Sequence, residues 1–167
     1  MEQNMNDVYK WLSDYFEYDK PFDEVLKDEK VTSFLLIWPI FEQKLFKEFA
    51  TEKDICKVAD KLGLNYNKYG VEEIVKYFYD RYQDSKKRKH LMHKSKAPFF
   101  INILEKDYNV MSDKEKTELL LYVVFRYRNN IFHGNKGIKS WTQYSKEINY
   151  CMTVMMNLLD SISKEVK

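Results

Sequence analysis

Glycine and proline are scarce in this chain, at 4 and 3 in 167 residues, while 16% of residues are aromatic and 32% charged. That balance is the one of a folded, helix-rich protein, with disorder expected only at the termini. Cysteine is scarcer still. Cys56 and Cys151 lie far apart with no CxxC spacing and no paired metal-ligand pattern, so reduced thiols in a cytoplasmic setting are expected. An excess of one charge is missing too: 28 basic residues face 26 acidic ones, a net charge of +2. Affinity for a polyanion must therefore come from local clusters. No window approaches 18 uninterrupted apolar residues, so no membrane span is expected. The stretch Met1 to Val8 has no basic-then-apolar export signal. No glycine-rich phosphate loop occurs, which puts a nucleotide-binding regulatory domain behind other readings. With no internal repeat and no low-complexity linker, residues 1–167 read as a single domain.

What is present is helical periodicity. Val8, Trp11, Leu12, Tyr15 and Phe16 follow it until Pro21, and another turn is possible at Phe22 to Leu26. Phe34, Trp38, Phe41, Leu45 and Phe49 make a core stripe about five turns long, with a kink expected near Leu35 to Pro39. Glu42 falls at the edge of that stripe, either an acid reaching solvent or one that reaches the functional residues below. Thr51 with Asp54 and Leu62-Gly63 bracket a short helix expected to be peripheral. Asn65 to Gly70 is turn-rich, and Val71, Ile74, Val75, Phe78 and Tyr82 mark the next amphipathic helix. Its polar continuation is a basic run containing Lys86, Lys87, Arg88, Lys89 and Lys94. Such a run is either a solvated helix end or a patch that attracts a phosphate backbone. Tyr77, Tyr79 and Tyr82 are either packing residues or stacking surfaces for unpaired bases. His90 and His93 lack a second ligand pair, so neither metal nor cofactor is expected. A short buried helix follows Pro98. Ser112 with Glu115 forms a capping box opening a helix of about 20 residues. Ser140 with Gln143 forms a second, opening a helix whose seam is Tyr144, Ile148, Cys151, Met155, Leu158 and Ile162. The predicted fold is an all-α up-and-down bundle of about four long helices with short peripheral ones.

Leu119 to Phe125 is apolar on every helical face and leads directly into Arg126-Tyr127-Arg128-Asn129-Asn130-Ile131-Phe132-His133-Gly134. Arg128 to His133 is an R-x4-H pattern with a polar Asn129 after the arginine. This stretch resembles the HEPN superfamily, small helical bundles of which many are metal-independent ribonucleases marked by R-x4-6-H. The resemblance covers roughly Ser112 to Leu159, and Phe34 to Phe49 is compatible with the family's other long helix. It implies Arg128, His133 and Asn129 as catalytic residues, with Arg126, which gives an R-x6-H alternative, as auxiliary. Asn130, from its place in the polar cluster at the helix end, and Glu42, from its place at the edge of the apolar stripe, are further auxiliary candidates. The resemblance also implies a homodimer in which both motifs line one cleft, and an RNA substrate, single-stranded or a tRNA loop, in prokaryotic defence or under an antitoxin or regulatory partner. One position departs: the toxin branch paired with nucleotidyltransferase antitoxins carries a tyrosine two residues beyond the histidine, where this chain has Asn135.

The chemistry of these residue types agrees with that expectation. Imidazole exchanges a proton near neutral pH, and a guanidinium is a permanent positive fork matched to phosphate oxygens. Arg128 and His133 lie ~140° apart on a regular helix, whereas Asn129 and His133 share a face. A second reading stays open, a non-catalytic helical module binding RNA or a partner protein. In it the polar cluster caps the helix end, and Arg128 pairs with an acid such as Glu42.

Overall fold

The computed structural model describes residues 7, 10, 11, 14, 29–132 and 143–162, with Val31 and Phe132 as backbone alone. Regular structure among them is entirely helical. Seven α-helices have both bounds among the described residues: α1 (Glu29–Phe46), α2 (Ile55–Ala59), α3 (Val71–Gln83), α4 (Ser85–Met92), α5 (Pro98–Leu104), α6 (Asp113–Phe132) and α7 (Ser145–Ile162). No described helix is long and apolar enough to cross a membrane. Of the first predicted helix, Asp7, Lys10, Trp11 and Asp14 are helical. Pro21, Phe22 to Leu26, His133, Gly134, Asn135 and Ser140 lie outside the described residues.

The organising element is α6. Its start is fixed as the capping box requires: the Glu115 amide donates to Ser112 Oγ at 3.3 Å and the Ser112 amide to Glu115 Oε2 at 3.0 Å. The Lys106 hydrogen bond, followed by that amide, holds the Glu115 carboxyl below its ordinary pKa. From Leu119 to Phe125 no residue is more than 8% exposed. The reason is that α6 packs against α2, α3, α4, α5 and α7 at once, so every face meets protein. Each such side chain contributes about 1.5–3 kcal/mol by leaving water.

The other long helices follow their apolar stripes. On α7, Ile148, Cys151, Met155 and Leu158 are buried, and α1 packs along this helix with Phe34, Trp38 and Phe41 inward. Helix α1 continues through Pro39. It ends at Phe46, short of the predicted stripe: Phe49 lies past the helix in a bend and is 82% exposed. Burial fails there because the chain has already turned away, Lys47 taking a φ of 66°. A second departure concerns α2. It was expected at the periphery, yet Ile55, Val58 and Ala59 are buried and the helix packs on α6. Its preceding turn, Glu52–Asp54, is a 3-10 helix with no side-chain cap from Thr51.

The basic run differs from the sequence reading as well. It is not the tail of α3 but a separate helix, α4, begun by Asp84, whose Oδ1 accepts from the amides of Lys86 (2.8 Å) and Lys87 (3.1 Å). Those backbone hydrogen bonds, Lys87's foremost, lower the Asp84 pKa. Upstream of α3, Tyr69 and Gly70 take consecutive left-handed conformations, with φ of 60° and 62°. Asn157 of α7 secures this turn. Its Oδ1 accepts from the Asn65 amide at 3.0 Å, and its Nδ2 donates to the carbonyls of Asn65 (2.9 Å) and Lys68 (3.3 Å).

Candidate functional site

The last turns of α6 present different residues to different neighbours, because successive positions step by about 100°. Arg126 and Asn130, four apart, share a face and meet the end of α4. Arg126 Nε donates to the Leu91 carbonyl at 3.1 Å, and Nη2 to that of Met92 at 2.8 Å. Asn130 Nδ2 adds a 3.3 Å bond to Leu91. A C-terminal helix turn has carbonyls with no partner inside the helix and a partial negative charge, so a guanidinium placed there satisfies both. The effect is a clasp that docks α4 on the motif helix.

Arg128 points elsewhere. Its guanidinium carbon lies 5.3 Å from the centroid of the Trp38 ring on α1, and Nη1 donates to Asn129 Oδ1 at 2.9 Å. An arginine over an indole face is electrostatically favourable and keeps its planar fork from swinging. Glu42 Oε1 accepts from the Ala50 amide at 2.9 Å, so this carboxylate ties down the bend after α1. His133 lies outside the described residues.

On the remaining side of α6, the clasp creates a cleft of about 270 Å³ between α3, α4, α6 and the start of α7. Its inner wall is Tyr82, Leu91, Tyr127 and Ile131, with Tyr144 at the edge. Arg81, Lys86, Lys87 and His90 supply the polar rim together with Asn130. The Tyr82 hydroxyl donates to that of Tyr127 at 3.3 Å, and burial raises the pKa of both phenols. Tyr144 OH and His90 Nε2 are 3.2 Å apart, closing the gap between α4 and α7. Behind the rim, Glu147 is buried and accepts from Arg81 Nη1 (2.9 Å) and Tyr77 OH (2.6 Å). Burial, then this hydrogen bond, pushes the Tyr77 pKa up to about 12.

The basic residues singled out in the sequence therefore divide. Lys86 and Lys87 line the cleft. Arg88 Nη1 donates to the Tyr82 carbonyl at 3.3 Å, tying α4 to α3. Lys89 and Lys94 are exposed and outside the cleft lining. Of the three tyrosines, Tyr82 faces the cleft, Tyr77 is bound to Glu147, and Tyr79 donates to the Lys106 carbonyl at 2.7 Å. Among the described residues no three His, Cys, Asp or Glu side chains converge where they could hold a metal ion.

Sequence reasoning did not find Arg81, Asp84 or Glu147. Asp84 was detectable as an N-cap ahead of a helical run. Arg81 and Glu147 meet only through tertiary packing and leave no local signature. The chain as a whole matches no protein-family model, no curated protein and no solved structure, so its own geometry carries the reading of the site.

Proposed function

We propose that this protein is a metal-independent endoribonuclease of the HEPN type, acting as a homodimer in prokaryotic defence or as a toxin, in the cytoplasm. The observation that supports this reading best is the presentation of Arg128: a guanidinium held over Trp38 and oriented by Asn129 where a fully packed helix comes to its end. An immobilised charge is the kind of group that stabilises a phosphorane-like transition state without reorganising at the moment of reaction. In this proposal His133 takes the proton from a ribose 2′-hydroxyl. The 2′-oxygen attacks the adjacent phosphorus, Arg128 binds the non-bridging oxygens, and the P–O5′ bond breaks with the 5′-oxygen taking up a proton from solvent. The products are a 2′,3′-cyclic phosphate and a 5′-hydroxyl end. DNA, which has no 2′-hydroxyl, is spared. An isologous dimer brings two copies of the motif to one groove, which answers the ~140° that regular helical spacing puts between positions 128 and 133.

The test is incubation of single-stranded RNA with purified protein in EDTA, with end-group analysis of the products. His133→Ala and Arg128→Ala should each lower the rate at least about a hundred-fold, with Arg128→Lys failing to restore it. Equal cleavage by wild type and His133→Ala would refute the proposal.

A second reading, a non-catalytic module binding RNA or a partner protein, draws on the commitments of Arg126 and Asn130 to the carbonyls of α4. In that reading the whole motif is structural. His133→Ala would then lower the melting temperature, and no RNA would be cut by wild type.

A further inference from the structure

The cleft between α3, α4, α6 and α7 has a composition that a plain packing defect does not explain. Its inner wall is aromatic and aliphatic, and among the described residues no acid lines it. Lys86, Lys87 and His90 stand at positions i, i+1 and i+4 of α4, on the side turned to the cleft. Arg81 from α3 also lines the cleft, its charge balanced by buried Glu147. Its Nη1 is bound to Glu147, while its Nε is buried with no hydrogen-bond partner among the described residues. A buried donor left unmade costs free energy, and a small shift of the guanidinium toward an incoming oxygen would satisfy it.

At about 270 Å³ the cavity lies at the small end of ligand sites. That is room for one flat ring and its sugar, not for a peptide segment or a duplex. Tyr144 and Tyr127 meet edge to face, with ring centroids 6.0 Å apart, so a planar base would lie against this pair and Ile131, with its phosphate on Lys86 and Lys87, which satisfies shape and charge together. We propose that this cleft is a recognition site for one unpaired nucleotide of a single RNA strand, separate from Arg128. The site binds and does not cut, so the inference stands on the cleft even if the nuclease reading fails.

The experiment separates binding from cleavage by using a fluorescently labelled 2′-O-methyl RNA hexamer, which offers no 2′-hydroxyl nucleophile. Anisotropy titrations compare wild type with Lys86→Glu/Lys87→Glu, and with Lys89→Glu/Lys94→Glu as a control of equal charge change outside the cleft. Circular dichroism verifies that both fold. The cleft variant should lose about a hundred-fold in affinity and the control no more than about three-fold. Tyr144→Ala should lose about ten-fold through stacking. Competition by AMP and UMP should require far higher concentrations than the hexamer, and inorganic phosphate should compete more weakly than either. Equal losses in the two charge variants would reduce α4 to a diffuse attractor and overturn the proposal. Phosphate competing as well as AMP would also overturn it, since no base would then be recognised. A mononucleotide binding more tightly than the strand would assign the cleft to a free nucleotide and overturn the strand as its ligand.

Discussion

Replacing Arg126 by methionine tests whether the guanidinium clasp is what holds the basic helix α4 against the motif helix. The substitution keeps an apolar stem and deletes two charge-assisted hydrogen bonds, at 3.1 Å to the Leu91 carbonyl and 2.8 Å to that of Met92. Such bonds contribute about 1.5–3 kcal/mol each when the partner is left bare. Neither carbonyl is left bare here. Leu91 retains Asn130 Nδ2 at 3.3 Å, and Met92 retains the Ser95 amide at 2.8 Å. The loss should therefore be nearer the cost of one bond plus the charge–dipole attraction at the helix end, about 2–3 kcal/mol. For a chain of this length that is a fall in Tm of about 4–12 °C. Arg126→Lys should recover less than half, because a single ammonium does not span two carbonyls. The assay is thermal melting with amide hydrogen exchange, and the loss of protection should concentrate in Ser85–Met92. A variant melting within about 1 °C of wild type, with α4 amides as slow as before, would refute the clasp. A loss of RNA cleavage without that loss of protection would instead place Arg126 among the groups acting on substrate.

Two further outcomes follow from buried polar groups. Burial raises the Glu118 carboxyl pKa, with the Cys56 hydrogen bond and the Lys114 charge working against the rise. The folded state then holds this proton more tightly than the unfolded chain, so stability falls as pH climbs from 4.5, the ordinary glutamate value, through the folded one. Glu118→Gln should raise the urea midpoint at pH 7 and match wild type near pH 4, and a constant difference at all pH values would contradict this. Asn157→Ala removes three hydrogen bonds to the turn at Asn65 and Lys68. It should cost about 3 kcal/mol and expose that turn to limited proteolysis, and an unchanged cleavage pattern would count against the role given to Asn157.

The parts of the molecule legible in the sequence are those with short-range causes. Leu119 to Phe125 signalled burial on every side because an uninterrupted apolar run on a helix has no face for water. Ser112 and Glu115 marked the start of that helix three residues apart. The seam Ile148, Cys151, Met155 and Leu158 was plain from its 3-4 rhythm. Phe49 misled because it continued the rhythm of Phe41 and Leu45 after the helix had ended. Periodicity says which residues could share a face, not where the backbone turns. Ile55, Val58 and Ala59 seemed peripheral because a five-residue helix is a weak signal, and its burial is decided by α6 beside it. The clasp was out of reach for another reason: Arg126 and the Leu91 carbonyl are 35 positions apart, and a backbone carbonyl leaves no trace in residue identity. The cleft combines both difficulties, since its walls come from four helical segments and the border shared by Lys86, Lys87 and Asn130 exists only once α4 is docked.

The five-fold contact of α6 has an outcome for how this chain can vary. A residue in the Leu119–Phe125 stretch has no outward direction in which a larger, smaller or polar replacement could be accommodated, so a change there reaches several neighbours together. Sequence drift is thereby channelled to the outer surfaces of α1, α4 and α7, the surfaces on which new binding preferences would arise. Surface chemistry can change in this protein while the central rod stays nearly fixed.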